Sequence, residues 1–177
     1  GAARGPVAVC IHGLTTPAFV WEALAPRLGA LGFRVLVYDL YGRGCSDRPR
    51  GRQDAGFFLA QLEALLAAQE VEEEITLIGY SMGGAIATAY AARHPDRLRR
   101  LILIAPAGMS ADLGVPAKLV QEVPVIGDWA FHLACPWQLR RGIAAERAQS
   151  SAVRDIHHRQ LAELRWRGYL PALISSL

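Results

Sequence analysis

Over its first hundred residues the chain alternates between two hydrophobic periods. Short apolar runs of β type lie at Val7–Ile11, Arg34–Leu40, Ile75–Gly79 and Arg99–Ile104. Between them, helical spacing is carried first by Trp21, Leu24, Leu28 and Leu31 and then by Phe58, Leu62, Leu65 and Leu66 within 57–69. A third helix, rich in small residues, runs from Met82 to His94. Four strands thus alternate with three helices, and the strands are apolar on both faces, which predicts an α/β fold: a three-layer core with a central parallel sheet covered by helices. Right-handed crossovers are the expected connections. Ligands in such sheets collect at the carboxyl ends of the strands, where His12-Gly13, Asp39 and Ser81 all fall.

Past Pro106 the pattern changes. Met109 to Pro136 mixes prolines and glycines with short apolar groups, and Ala144 to Leu170 reads as a long, charged, helical stretch. The chain divides accordingly into a core over 1–108, a helical cap or lid over 109–170 and a last stretch over 171–177; the family resemblance described below implies that the core is partial and that 171–177 starts the return to it. Trp129, Phe131 and Trp137 either line an apolar pocket or pack the cap helices on the core.

With 177 residues, 52% hydrophobic and 20% charged, the chain has the apolar material for one domain with a sizeable core. Its net charge of +3 comes from arginines dispersed over several segments, so no nucleic-acid footprint is implied. Cys10, Cys45 and Cys135 are odd in number and lack CxxC spacing, which argues against a disulfide framework and for a reducing compartment. Gly1 to Pro6 lack the basic-then-apolar order of a leader, and cytoplasmic location is the default expectation. The uncharged run Ile75–Ala92 contains Gly79, Ser81, Gly83 and Gly84, so it reads as strand, turn and helix rather than as a transmembrane span.

The chemistry concentrates in that run. Gly79-Tyr80-Ser81-Met82-Gly83 stands between a strand and a helix, the setting of a nucleophile elbow, a motif that is degenerate alone but specific in this context. A strained turn lifts the Ser81 hydroxyl above the sheet, and Gly79 and Gly83 must be small for strand and helix to approach. The helix N-terminus favours developing negative charge, which makes the Met82 amide one oxyanion-hole donor. The loop after the first strand, His12-Gly13-Leu14, offers the Leu14 amide as the second.

These motifs occur together with Trp21, the segment Tyr38-Asp39-Leu40-Tyr41-Gly42-Arg43-Gly44-Cys45-Ser46-Asp47-Arg48-Pro49, and His94-Pro95-Asp96-Arg97. In that order they resemble the α/β-hydrolase superfamily, in its broad group of capped serine esterases and lipase-like enzymes, over nearly the whole chain. The resemblance implies a serine hydrolase that cleaves small or medium apolar esters through an acyl-enzyme on Ser81, with no cofactor or metal. It also implies that His12 braces the oxyanion loop. Asp39 and Asp47 read as supports of the glycine-rich loop, and His94 as a structural residue at a helix C-terminus.

In this family the triad runs Ser, then Asp or Glu, then His. No acid occurs in Ala105-Pro106-Ala107-Gly108, and His132, His157 and His158 fall within the cap, where surface or packing roles are expected. The resemblance places the triad acid and histidine on strands beyond Leu177 and an antiparallel pair before Gly1. The expectation is a fragment whose serine lacks its base and whose sheet has unfinished edges. Acyl transfer or carbon–carbon bond hydrolysis would use the same core, and a non-enzymatic binding or regulatory protein is the reading from another class. A small-molecule partner is expected, without nucleic acid or a transmembrane segment; oligomeric state is left open.

Overall fold

The computed structural model describes residues 5–107, 135–145 and 151–176. Four strands, β1 (Val7–Ile11), β2 (Arg34–Val37), β3 (Ile75–Tyr80) and β4 (Leu98–Ile104), form one parallel sheet in the order β2-β1-β3-β4. The helices α1 (Ala25–Ala30), α2 (Ala55–Ala68) and α3 (Met82–Arg93) connect them in sequence. Beyond β4 come α4, over 135–145, then α5 (Ile156–Glu163) and α6 (Tyr169–Ile174). Among the described residues no helix is long and apolar enough to cross a membrane.

The two inner strands alternate between two cores, as the period of a strand requires. Val7, Val9 and Ile11 of β1 and Ile75 and Leu77 of β3 pack with Phe58, Leu62, Leu66, Ile86 and Tyr90 of α2 and α3. Cys10 and Ile78 face the other way, onto Trp21, Leu24 and Leu28. Asp54 caps α2 by accepting from the Phe57 amide at 3.0 Å, a contact that satisfies one of the free donors of the first turn.

Three boundaries differ from the sequence pattern. The helical spacing from Trp21 to Leu31 is carried by two pieces, a 3-10 turn over Ala18–Trp21 and α1. Pro26 has no amide to donate and is accommodated only in a first turn, so α1 starts beside it instead of running through. Leu31 falls outside the helix and is 74% exposed. The second strand stops at Val37 rather than Leu40, because the Leu40 amide goes to the His12 ring instead of the ladder. The long helix read over 144–170 is broken: α5 ends at Glu163, and Gly168, at φ 85, starts α6 from a left-handed conformation that a side chain rarely adopts. Trp129, Phe131 and His132 lie outside the described residues, as does most of 109–136. Trp137 is 60% exposed with the Arg141 guanidinium 5.2 Å from its ring centre, and among the described residues it joins no buried cluster.

Candidate active site

The carboxyl ends of β1, β2 and β3 form one edge, and the site is assembled there. Ser81 follows β3 at φ 52 and ψ −119, a conformation disfavoured for any residue with a side chain. The surroundings hold it there: its amide donates to Ile104 O at 3.0 Å, and its carbonyl accepts from Gly84 and Ala107, each at 2.9 Å. Ser81 occupies the N-cap position of α3, yet its hydroxyl makes no capping bond. It is half-buried, and the first amides of α3, Met82 among them, have no partner within the helix.

The close approach rests on missing side chains. A Cβ on Gly79 would run into Gly83 O and lie 2.6 Å from Gly84 Cα, and one on Gly83 would run into the carbonyls of Ile11 and His12. The first turn of α3 is therefore seated directly on the end of β1. A Cβ on Gly13 would lie 3.3 Å from that of Ser81 and 3.2 Å from the Tyr80 ring, which brings the His12-Gly13-Leu14 loop against the elbow.

His12 is wholly buried, and both of its ring nitrogens are engaged. Nε2 accepts the Leu40 amide at 2.8 Å, which requires the proton to sit on Nδ1, and Nδ1 donates to Gly13 O at 2.7 Å. Burial pulls its pKa down to about 4, against smaller upward contributions from the Gly13 bond and the Asp39 charge, so the ring is neutral near pH 7. Neither nitrogen is free to take a proton from Ser81. Asp39 is similarly engaged: its oxygens accept from the amides of Ala18 at 2.7 Å and Cys45 at 2.9 Å. Asp47 is exposed and contributes its main-chain carbonyl to the Gly42 amide at 2.8 Å.

His94 ends α3, about 20 Å along the helix from Ser81, where it contacts Glu63 at 2.8 Å. His157 and His158 lie at the start of α5, half-buried and exposed. Of the residues singled out from sequence, the structure thus gathers Ser81, Met82, Gly79, Gly83, His12, Gly13 and Leu14 at one edge, with Asp39 on the adjoining loop.

Two buried charges escaped the sequence reading. Arg43 is fully buried within Gly42-Arg43-Gly44, a setting that reads as an exposed turn. Glu163, 6% exposed, accepts the Gly44 amide at 2.9 Å, and burial raises its pKa, with Asp39 adding to the effect. Sequence offers little to find either residue, since long charged side chains are ordinarily on the surface. Among the described residues no cluster of His, Cys, Asp or Glu is arranged to hold a metal ion.

Known proteins share this framework. The 2-hydroxy-6-oxo-2,4-heptadienoate hydrolase of Pseudomonas putida is 31% identical over 169 residues, covering 93% of this chain and 55% of the relative. The 2-hydroxymuconate semialdehyde hydrolase of a Pseudomonas strain is 41% identical over 91 residues, 51% of this chain and 31% of the relative. The chain therefore spans about a third to about half the length of these curated relatives. A hydrolase of known structure from Pseudomonas aeruginosa superposes with a TM-score of 0.71 at 27% identity, over 99% of this chain and 64% of that one. A family model described as alpha/beta hydrolase fold matches residues 6–129, and the chain belongs to that family.

Proposed function

We propose that this chain carries the nucleophile and oxyanion hole of a serine hydrolase acting on carboxylic esters. The observation that carries the reading is the Ser81 backbone at φ 52, between β3 and α3, with a hydroxyl that does not cap its own helix. Holding a serine in so unfavourable a conformation costs about 1–3 kcal/mol, and such strain gathers where a side chain must be presented to a ligand. Ser81 Oγ attacks the ester carbonyl, an external base takes its proton, and the alcohol leaves from the tetrahedral intermediate to give an acyl-enzyme that water then hydrolyses. The amides of Leu14 and Met82 hold the oxyanion, each contributing about 3 kcal/mol to the transition state. The acid and base partners of Ser81 are assigned to no residue of this sequence. In this reading 109–170 serves as the cap, with an apolar acyl group as its guest.

A second reading has one specific support. The two relatives compared over 169 and 91 residues are named as hydrolases of 2-hydroxy-6-oxo-2,4-heptadienoate and 2-hydroxymuconate semialdehyde. The same serine and hole would serve cleavage of a carbon–carbon bond next to a carbonyl in such a dienoate.

The test is covalent. A fluorophosphonate probe applied to the protein made from its whole coding sequence is expected to label Ser81 and to leave Ser81→Ala unlabelled. Equal labelling of the two would remove Ser81 from the chemistry. Turnover of p-nitrophenyl butyrate against that of a 2-hydroxy-6-oxo-dienoate then separates the ester reading from the carbon–carbon one.

A further inference from the structure

A fully buried guanidinium stands out near the site. Arg43 is 0% exposed, and among the described residues its partners are all neutral. It donates to Tyr41 O at 2.9 Å, to Gln53 Oε1, to Ser176 Oγ at 2.8 Å and, through Nε, to Leu14 O at 3.4 Å, while its Cζ lies 5.5 Å from the centre of the Phe58 ring. Burial pulls its pKa down only to about 10, so it is a cation near neutral pH. A buried charge without a counter-ion is expensive, and a neutral side chain of like volume would avoid that cost. The fold keeps it nonetheless.

Its position suggests why. A peptide unit is planar and trans, so fixing a carbonyl also fixes the amide on the opposite side of the same unit. His12 holds the carbonyl of Gly13, which shares its plane with the Leu14 amide. Arg43 reaches the carbonyl of Leu14 itself, in the next plane. The two units flanking the Leu14 Cα thus each meet a buried side chain, the first through a 2.7 Å bond to His12 and the second through a longer, weaker 3.4 Å contact with Arg43.

The same guanidinium reaches the far end of the described chain. Ser176 Oγ, which accepts from Arg43, itself lies within bonding distance of Gln53 Oε1 (3.0 Å) and Ala172 O (2.8 Å), and the Gln53 amide is bonded to Ser175 Oγ at 2.9 Å. The Leu14 side chain packs against the cluster of Cys135, Tyr169 and Leu173, with Leu139, Leu164 and Leu170 around it. Leu14 therefore touches the segment from α4 to α6 through its side chain, and reaches the end of α6 through Arg43.

We propose that Arg43 is a positioning residue for the oxyanion loop, coupling the Leu14 peptide to the docking of α6, so that the seat of the segment following the cap sets the direction of the Leu14 amide. This rests on the reading of Leu14 as an oxyanion donor. A side chain that acts this way changes how well the site stabilises a developing oxyanion without touching substrate.

The test compares an ester with its thiono analogue, whose C=S is a poor hydrogen-bond acceptor, in the protein made from its whole coding sequence. Wild type is expected to prefer the oxoester. Arg43→Met is expected to lower kcat at least about tenfold with KM within about threefold, and to shrink the oxo-to-thiono preference at least about fivefold, with Arg43→Lys in between. A fall in kcat with the preference unchanged would reduce Arg43 to a packing residue and overturn the proposal, as would an unchanged kcat. Should Arg43→Met fail to fold, Ser176→Ala leaves the guanidinium in place and removes its bond to the end of α6, while Ser175 still holds that end to Gly51 and Gln53; the preference should then shrink about twofold, and an unchanged one overturns the coupling. Ser81→Ala run beside them keeps the two ideas apart. Turnover that survives Ser81→Ala defeats the serine chemistry, whereas turnover lost in Ser81→Ala with an intact preference in Arg43→Met defeats only the role of Arg43.

Discussion

β1 and the second half of β4 are both apolar runs in one parallel sheet, but every residue of β1 is buried, whereas Leu101, Ile102, Leu103 and Ile104 of β4 are each 37–41% exposed. The difference lies in what surrounds them. β1 has β2 on one side and β3 on the other, with α2 and α3 over one face and Trp21, Leu24 and Leu28 over the opposite one. β4 pairs among the described residues with β3 alone. An unbroken apolar run in the sequence therefore records that a strand is built to be covered on both faces. Which elements provide the cover is a separate fact.

The largest effect is expected where α3 meets the end of β1. Gly83→Ala drives a methyl group into the carbonyls of Ile11 and His12, and neither a strand end nor a first helical turn can retreat without losing its neighbours. A loss of about 4 kcal/mol or more, or failure to fold, is expected in urea denaturation. A stable Gly83→Ala protein would mean that the two elements are less tightly seated than β1 and its register with β3 indicate.

Truncating matched leucines tests the contrast itself. Leu77, wholly buried in β3, is expected to cost about 3 kcal/mol as Leu77→Ala, whereas Leu103→Ala in β4 is expected to cost about 1 kcal/mol. Equal losses would show that β4 is covered in solution as thoroughly as β3.

The same contrast explains what could be read in advance. β1 matched its sequence run to the residue, and β3 and α3 did so within one, because their periodicity, the small residues of the elbow and the strand-to-helix order all point one way. The first helix departs from its pattern because side-chain spacing carries no information about the amide that Pro26 lacks. The stretch to Leu170 departs from its pattern because a charged helical period hides the break at Gly168. Ser81, Gly79 and Gly83 were legible since sterics there depend on the nearest neighbours in the chain. Arg43 was not: its partners Leu14 and Ser176 are 29 and 133 residues away, and only the folded chain brings them to one guanidinium.

In the loop at the end of β1, burial acts on a proton. In the folded chain His12 has a pKa near 4, whereas an unfolded chain leaves it close to 6.5. Above about pH 6.5 the ring is neutral in both states and its contribution to stability is fully present. As pH falls the unfolded chain takes up the proton first, so stability drops through that window and the contribution is gone once pH passes below the folded value. Between pH 7 and 4.5 the loss attributable to His12 is on the order of 2 kcal/mol. Protonation would also turn Nε2 from an acceptor into a donor facing the Leu40 amide, so the contact between the ends of β1 and β2 is the one to fail. Urea denaturation at the two pH values, in wild type and in His12→Asn, isolates this share from the other titrating groups. The variant is expected to be less stable at pH 7 and to lose correspondingly less on acidification; parallel losses in the two proteins would mean that His12 is hydrated in solution and not sealed beneath the loop.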